Sequence, residues 1–379
     1  MSSFDVDVVI QVLSRTLFSP SFCVLLSLTI FSQVKDPHHP AFIGVTAWTG
    51  LVCAFSLLRH VNRIYASQGS WLFAPPGINW SDQVVLITGG GSGIGALLAE
   101  TLAMRNITVV VLTKDKPTYE VENDNIVTYL CDVSDYEQVE ATATKVREEV
   151  GEPTIIVNNA GVVKGKLLLD LSKEDIQEQV VCSGPTFGVN TLAHFWVQKA
   201  FLPALVRMKR GHIVSISSIL GLVGAAQMTD YCASKAALVS LHQTLRYELD
   251  SRHKTPGIRT TLVLPSFTLT SLFAKAHMPR SALFQFLAPP LQPHVIVKQI
   301  IDALDAEESR VIRLPWYSNV ARFMGPAVGI VPKWLGDCCL RELRLMKQVS
   351  GADFAMKEYG PSPDAAERIA SEAANESAT

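Results

Sequence analysis

The chain has 379 residues, 48% hydrophobic and 18% charged, with a formal net charge of -2. This length allows one large α/β domain with appendages, and the near-neutral balance excludes an electrostatic footing for nucleic acid. A mean hydropathy of +0.23 is apolar for a freely soluble enzyme and points to membrane contact.

The first element is an uncharged run, LFSPSFCVLLSLTIFSQV (Leu17 to Val34), interrupted by Pro20. After a short polar turn, KDPHHP, comes AFIGVTAWTGLVCAFSLL (Ala41 to Leu58), eighteen residues without a charge and long enough to span a bilayer. One or two hydrophobic helices are therefore predicted in residues 1–70. Arg15 before the pair and Arg59 with Arg63 after it place both flanks in the cytosol. No strongly basic start or A-x-A-like site marks a cleaved signal, so an anchor is the better reading. His38 and His39 read as solvated turn residues rather than metal ligands. Residues 71–82, with PPGINW at 75–80, form a linker.

QVVLITGGGSGIGALLAETLAMRN (Gln83 to Asn106) predicts strand, glycine turn and helix, and ITVVVL (Ile107 to Leu112) a second strand. Gly89, Gly93 and Gly95 permit positive φ, close backbone approach to a pyrophosphate and tight helix packing. The helix N-terminus they open offers N–H groups and a positive dipole end. IVTYLCDVSD ends a third strand at Asp132; TIIVNNAG (154–161), GHIVSISS (211–218) and IRTTLVLP (258–265) give three more, with helical stretches between. A doubly wound parallel α/β sheet follows, its ligand edge carrying Thr88, Asp132, Asn158, Ser218 and Pro265. The seven scattered cysteines have no Cys-x-x-Cys spacing, so neither a disulfide framework nor a metal site is indicated.

YCASK (231–235) puts Tyr231 and Lys235 on one helical face, where phenol and ammonium can converge and the cation favours the phenolate. Alone, the same spacing also describes a packed aromatic and a surface lysine. The wider pattern is T-G-x-x-x-G-x-G at Thr88 to Gly95, NNAG at 158–161, Ser218 thirteen residues before Tyr231, and Lys235 four after it. Over roughly residues 80 to 275 this resembles the short-chain dehydrogenase/reductase family. VNTLAHFWVQKAFLPAL (189–205), GHIVSISS and LVLPSFTLTSLF (263–273) are most similar to its membrane-anchored 17-beta-hydroxysteroid and retinol dehydrogenase branch.

The resemblance implies a Rossmann-like fold behind an N-terminal transmembrane helical anchor, and a role for each matching residue. Tyr231 would be the general acid/base. Lys235 would lower its pKa and hold the nicotinamide ribose, and Ser218, rather than Ser217, would polarise the substrate oxygen. Asn190 would support a relay water. Gly89, Ser92, Gly93, Ile94 and Gly95 would receive the pyrophosphate, Asp132 and Val133 would face the adenine, Asn159 the adjoining ribose region, and Thr268 with Thr270 the nicotinamide amide and phosphates. Thr268 and Thr270 also read as turn hydroxyls, and Asp132 as a helix cap. Two departures stand out. QEQVVCSGPT, between Ile176 and Phe187, is several residues longer than the family pattern, either a surface bulge or an error in the gene model; a genuine insertion enters the helix that carries Asn190 and is expected to threaten that residue's position. Ser266 stands where glycine is common.

After the second strand stand Thr113 and Lys114, with no carboxylate at the first position to accept from a ribose 2′-hydroxyl. NADP(H) is favoured over NAD(H), although Asp115 follows. SLFAKAHMPRSALFQFLAPPL (271–291), apolar and aromatic, implies a lipophilic alcohol or ketone or else an ordinary amphipathic lid. The catalytic domain is expected over 83–312, an interfacial or lid segment over 313–360 and a disordered tail over 361–379. The leading reading is an oxidoreductase of a retinoid, steroid or long-chain lipid at the endoplasmic reticulum or lipid droplet, its domain facing the cytosol. Membrane lipid and a second copy in a homodimer are expected partners. The alternatives are a 3-ketosphinganine or 3-ketoacyl reductase and a non-catalytic membrane scaffold.

Overall fold

The computed structural model describes residues 5–67, 77–117, 123–163, 168–170, 185–225, 228–273, 286 and 288–319. The expected tail, most of the 313–360 segment and most of the 271–291 loop lie outside these residues, as does QEQVVCSG of the extra stretch.

Three helices open the chain: α1 (Val6–Arg15), α2 (Pro20–Val34) and α3 (Pro40–Ser67). The sequence pattern did not reveal α1. Asp5 caps it by accepting from the Val8 N–H, and Pro20 starts α2 at the position where a missing N–H costs nothing. The two are bent by 58° at the break between them. Helices α2 and α3 pack together through a Ser27–Thr49 hydroxyl contact of 2.9 Å, and Trp48 Nε1 of α3 donates to the Leu17 carbonyl in the turn before α2. They leave Leu25, Leu28, Leu51, Phe55, Leu57 and Leu58 more than 60% exposed, a concentration of apolar surface that soluble proteins seldom show to water. Among the described residues, Pro40–Asn62 is the one unbroken helix long and apolar enough to cross a membrane.

The remainder is a seven-stranded parallel sheet of order β3-β2-β1-β4-β5-β6-β7. Its strands are β1 (Val84–Thr88), β2 (Thr108–Thr113), β3 (Ile126–Leu130), β4 (Ile155–Asn158), β5 (Gly211–Ile216), β6 (Ile258–Pro265) and β7 (Arg310–Leu314). The crossover helices are α4 (Gly93–Ala103), α5 (Tyr136–Glu149), α6 (Ala193–Met208), α7 (Thr229–Ser251) and α8 (Pro293–Asp305). Strand periodicity divides the side chains between two cores. Val85, Ile87, Val109 and Val111 pack with α4 and α8, whereas Leu86, Val110 and Leu112 pack with α5, α6 and the far end of α7. This two-sided burial explains why the strands read as continuous apolar runs.

Two expectations change. The third strand ends at Leu130, not Asp132, because the Asp132 carboxylate turns the chain by accepting from the Ser134 N–H and hydroxyl at 3.0 and 2.6 Å. The cap of α5 is Asp135 instead. The seventh strand, RVIRL, was not anticipated, since two arginines in a five-residue edge strand mask its apolar positions.

Three histidines are sealed in this domain as neutral rings. Burial holds His194 and His212 down to about 3 and His242 to about 4. Each is depressed below the ordinary 6.5, so the unfolded chain binds more protons between pH 6.5 and those values, and stability present above pH 6.5 is lost as the pH falls. At pH 5 the loss is roughly 2 kcal/mol per histidine. The unfolding midpoint should therefore drop by on the order of 10 °C between pH 7.5 and 5; a flat profile in calorimetry contradicts neutral burial.

Candidate active site

The sheet order reverses between β1 and β4, and the crevice outside the carboxyl ends of the strands at that point is where such sheets bind ligands. A cleft of about 270 Å³ opens there. It is lined by Gly89, Ser92, Gly93, Ile94, Thr113, Lys114, Asp132, Val133, Asn159, Ser218, Tyr231, Lys235, Thr268 and Thr270. Of the residues given a catalytic or cofactor role from the sequence, Gly95 and Asn190 are not in its wall, and of the predicted ligand edge Thr88 and Asn158 are not.

The turn between β1 and α4 forms the floor. Gly89 and Gly93 adopt φ of +62° and +58°, the left-handed region that glycine enters without strain. Ser92 is the N-cap residue of α4, but its side chain makes no capping bond, and the first N–H groups of the helix have no intrahelical acceptor. A side chain at Gly91 would stand 2.6 Å from Thr113 Oγ1, and one at Gly93 would project toward Thr270. This bare loop, backed by a positive helix end, fits a dinucleotide pyrophosphate. Gly95 lies behind it, in close contact with Asn159 and the Gly89 carbonyl.

Asn159 has a bracing position. Its amide donates to the Thr88 and Gly89 carbonyls, both at 3.0 Å, while Thr88 Oγ1 accepts from the Asn159 and Ala160 N–H groups. The clamp joins the ends of β1 and β4. Thr88 was legible as a strand end, although its hydroxyl's role was not. Asn158, in contrast, is 1% exposed with its amide unpartnered.

Tyr231, Lys235 and Ser218 meet on the opposite wall. Lys235 is 3% exposed and donates to the Ile216 carbonyl at 3.1 Å, with its ammonium 5.7 Å from the Tyr231 ring centre. Burial lowers Lys235 to about 8. Burial also raises the Tyr231 phenol above its ordinary range, opposed by a hydrogen bond with Ser218. In the protein alone desolvation is the largest influence on Tyr231, and the group that opposes it is Ser218 rather than Lys235. Ser218 accepts from the Leu220 N–H, whereas Ser217 donates to the Lys235 carbonyl at 2.8 Å and braces α7. Of the two serines, Ser218 is the one engaged with the phenol.

Asn190 sits in a π turn, Gly188–Leu192, that leads into α6. One wider turn absorbs an extra residue within a helix. Despite the longer stretch before it, Asn190 is fully buried, accepts from the Val162 N–H at 2.7 Å and donates to the Val162 carbonyl and Ser234 Oγ. A side chain on Gly161 would lie 3.4 Å from both Asn190 Oδ1 and Lys235 Nζ. The missing side chain therefore leaves a gap bounded by both groups. Ser234 and Gly161 were visible only as letters within YCASK and NNAG.

At the end of the cleft formed after β2 and β3, Lys114 Nζ lies 2.7 Å from Asp132 Oδ2. Burial tends to raise the Asp132 carboxyl, but hydrogen bonds from Lys114 and Ser134 outweigh it and hold the group below its ordinary value. Thr268 is buried, donates to the Ser266 carbonyl and bridges to Leu291, so it shapes the turn. Thr270 faces Gly93 across the cleft. Ser266 hydrogen-bonds Tyr317, a phenol that burial pushes up to about 12.

The family model for short chain dehydrogenase matches residues 83–280, which hold every element of this cleft. The chain belongs to the short-chain dehydrogenase family. Retinol dehydrogenase 10-A of Danio rerio is 36% identical over 293 residues, covering 69% of this chain and 84% of that protein. Retinol dehydrogenase 10 of Homo sapiens is 37% identical over 286 residues, covering 67% and 81%. Two solved structures share the fold: a short-chain dehydrogenase from Streptomyces avermitilis (TM-score 0.52, 23% identity, 69% of this chain and 95% of that one) and a 4-hydroxyisoleucine dehydrogenase mutant complexed with NADH and succinate (0.53, 22%, 61% and 96%). As a short-chain dehydrogenase, the protein is a nicotinamide-dependent oxidoreductase of CH–OH groups.

Proposed function

We propose that this short-chain dehydrogenase is membrane-anchored and interconverts a hydroxyl and a carbonyl on a lipophilic substrate, a retinoid, steroid or long-chain lipid, with NADP(H). The observation that carries this reading is the meeting of Tyr231, Ser218 and Lys235 beside an apolar wall. The Phe273 ring stands edge-on to Tyr231 at 6.4 Å and contacts Phe267 at 5.6 Å, which favours an apolar body next to the reacting oxygen. The similarity to retinol dehydrogenases supports the same substrate class. The exposed apolar side chains of α2 and α3 support anchoring, and Arg15 and Arg59 at the flanks favour a cytosolic catalytic domain at the endoplasmic reticulum or lipid droplet.

The glycine loop would hold the pyrophosphate, Asp132 and Val133 the adenine side, and Thr270 the nicotinamide side. The bound nicotinamide supplies or accepts the hydride. Ser218 orients the substrate oxygen with its hydroxyl. Tyr231 gives that oxygen a proton in reduction and takes one in oxidation, and Lys235 stabilises the phenolate left behind. The gap beside Gly161 gives room for a water between Lys235 and Asn190 through which the proton is restored. Asn190 held in place favours an enzyme over a scaffold.

Lys114 provides the preference for NADP(H). It stands after β2, where a 2′-phosphate would lie, and its exposed pair with Asp132 is weak enough to share. In membranes the full chain should reduce retinal with a higher kcat/KM for NADPH than for NADH, and Lys114→Ala should cut the NADPH value about 10-fold while sparing NADH. Equal use of both cofactors, unaffected by Lys114→Ala, contradicts the cofactor assignment. A preference for a water-soluble sugar over retinal contradicts the substrate class.

A further inference from the structure

A second and larger concavity, a groove of about 1230 Å³, lies between the C-terminal part of α3, the edge strand β7 and α7. None of its lining belongs to the nicotinamide cleft. Four arginines face it, Arg59 from α3, Arg246 from α7, and Arg310 and Arg313 from β7, against the carboxylates of Asp250 and Glu308. With histidines neutral, four against two gives the wall a charge of +2. Arg246 pairs with Asp250 and Arg310 with Glu308, each at 2.5 Å, so the two carboxylates of the wall lie within its own arginine cluster. An incoming anion thus meets a net positive field in a confined space. The floor is apolar, built from Leu262 and Leu264 of β6 and Val239 of α7.

The groove's position selects its ligand. Ser56, Arg59 and Asn62, spaced three apart on α3, form one side, and on that same helix the apolar Phe55, Leu57 and Leu58 are exposed. The anchor is tied to this face of the domain, because Asp7 of α1 accepts from the Trp316 N–H just after β7. If α3 spans the bilayer over Pro40–Asn62, Arg59 stands at headgroup level and the groove opens sideways onto the lipid. A site with arginines above, an apolar floor and an apolar helix leading into it suits an amphiphile, not a soluble anion.

We propose that this groove binds the headgroup of a net-negative membrane phospholipid, seating the catalytic domain on the bilayer. The proposal rests on the anchoring read above. The test uses the full chain purified in neutral detergent. Its unfolding midpoint is followed as phosphatidic acid, phosphatidylcholine or inorganic phosphate is added. A saturating anionic lipid should raise the midpoint by about 4 °C or more, with little response to the other two. The pair Arg59→Gln with Arg313→Gln should remove most of that rise, and Arg59→Lys with Arg313→Lys should retain it. NADPH binding, followed in parallel, reports that each variant is folded. Equal shifts with phosphatidylcholine, equal shifts with inorganic phosphate, or a full shift in the glutamine pair would each overturn the proposal. So would a midpoint that ignores lipid and rises with protein concentration, the sign of a second copy in the groove. Flotation with phosphatidylcholine vesicles reads the anchor separately. A chain that floats but shows no anionic preference loses the headgroup site alone; one that does not float loses the anchor itself.

Discussion

Tyr231→Phe should lower turnover by about 10²–10⁴-fold, the range for a positioned proton donor, with cofactor binding retained. The substitution removes one oxygen and keeps the ring that packs edge-on against Phe273. Without that hydroxyl, Ser218 can still orient the substrate, but no proton reaches its oxygen from the wall. The wild-type pH profile carries a second signature. Burial brings Lys235 to about 8, so the ammonium proposed to support the phenolate is present below that value and lost above it. The reductive rate should fall as pH rises past about 8, and residual Tyr231→Phe activity should not follow that fall. Full turnover by Tyr231→Phe would show that the proton comes from elsewhere.

The second large effect is expected at a residue that touches no substrate. A methyl group at Gly95 would lie 2.5 Å from Asn159 Nδ2 and 2.6 Å from the Gly89 carbonyl. Neither neighbour can withdraw cheaply, because Asn159 is tied to the Thr88 and Gly89 carbonyls and the second contact is backbone. Gly95→Ala should therefore cost about 1–3 kcal/mol of stability and reshape the turn that would receive the pyrophosphate. NADPH titration should show at least a tenfold weaker binding, a loss of about 1.4 kcal/mol. Wild-type affinity and stability in this variant would mean that the turn does not form the phosphate cradle.

What could be read from the sequence follows from the physics of each element. Strands buried on both faces are long β-branched runs, and β1, β2 and β6 were found close to their observed limits for that reason. The cluster of Tyr231, Lys235 and Ser218 was legible because two of its members lie one helical turn apart and the third follows a strand. β7 was hidden by its arginines, and α1 by its mixture of acidic and apolar residues. Tertiary relations were hidden more deeply. The Thr88 hydroxyl clamp joins residues 71 and 72 positions apart, and nothing local marks such a partner. The fate of Asn190 could not be read either, since a longer preceding segment displaces a residue or not according to how the helix absorbs it. Here a π turn and the bonds to Val162 and Ser234 keep it beside Lys235.

The most direct test of the central claim is isotope transfer by the full chain in membranes, with NADPH carrying deuterium at the nicotinamide C4 and retinal, a ketosteroid or a long-chain ketone as acceptor. The account predicts that deuterium appears on the carbinol carbon of a lipophilic product, from one face of the nicotinamide only, and that Tyr231→Phe suppresses it. Unlabelled alcohol, or labelled product formed equally well without the Tyr231 hydroxyl, would contradict it.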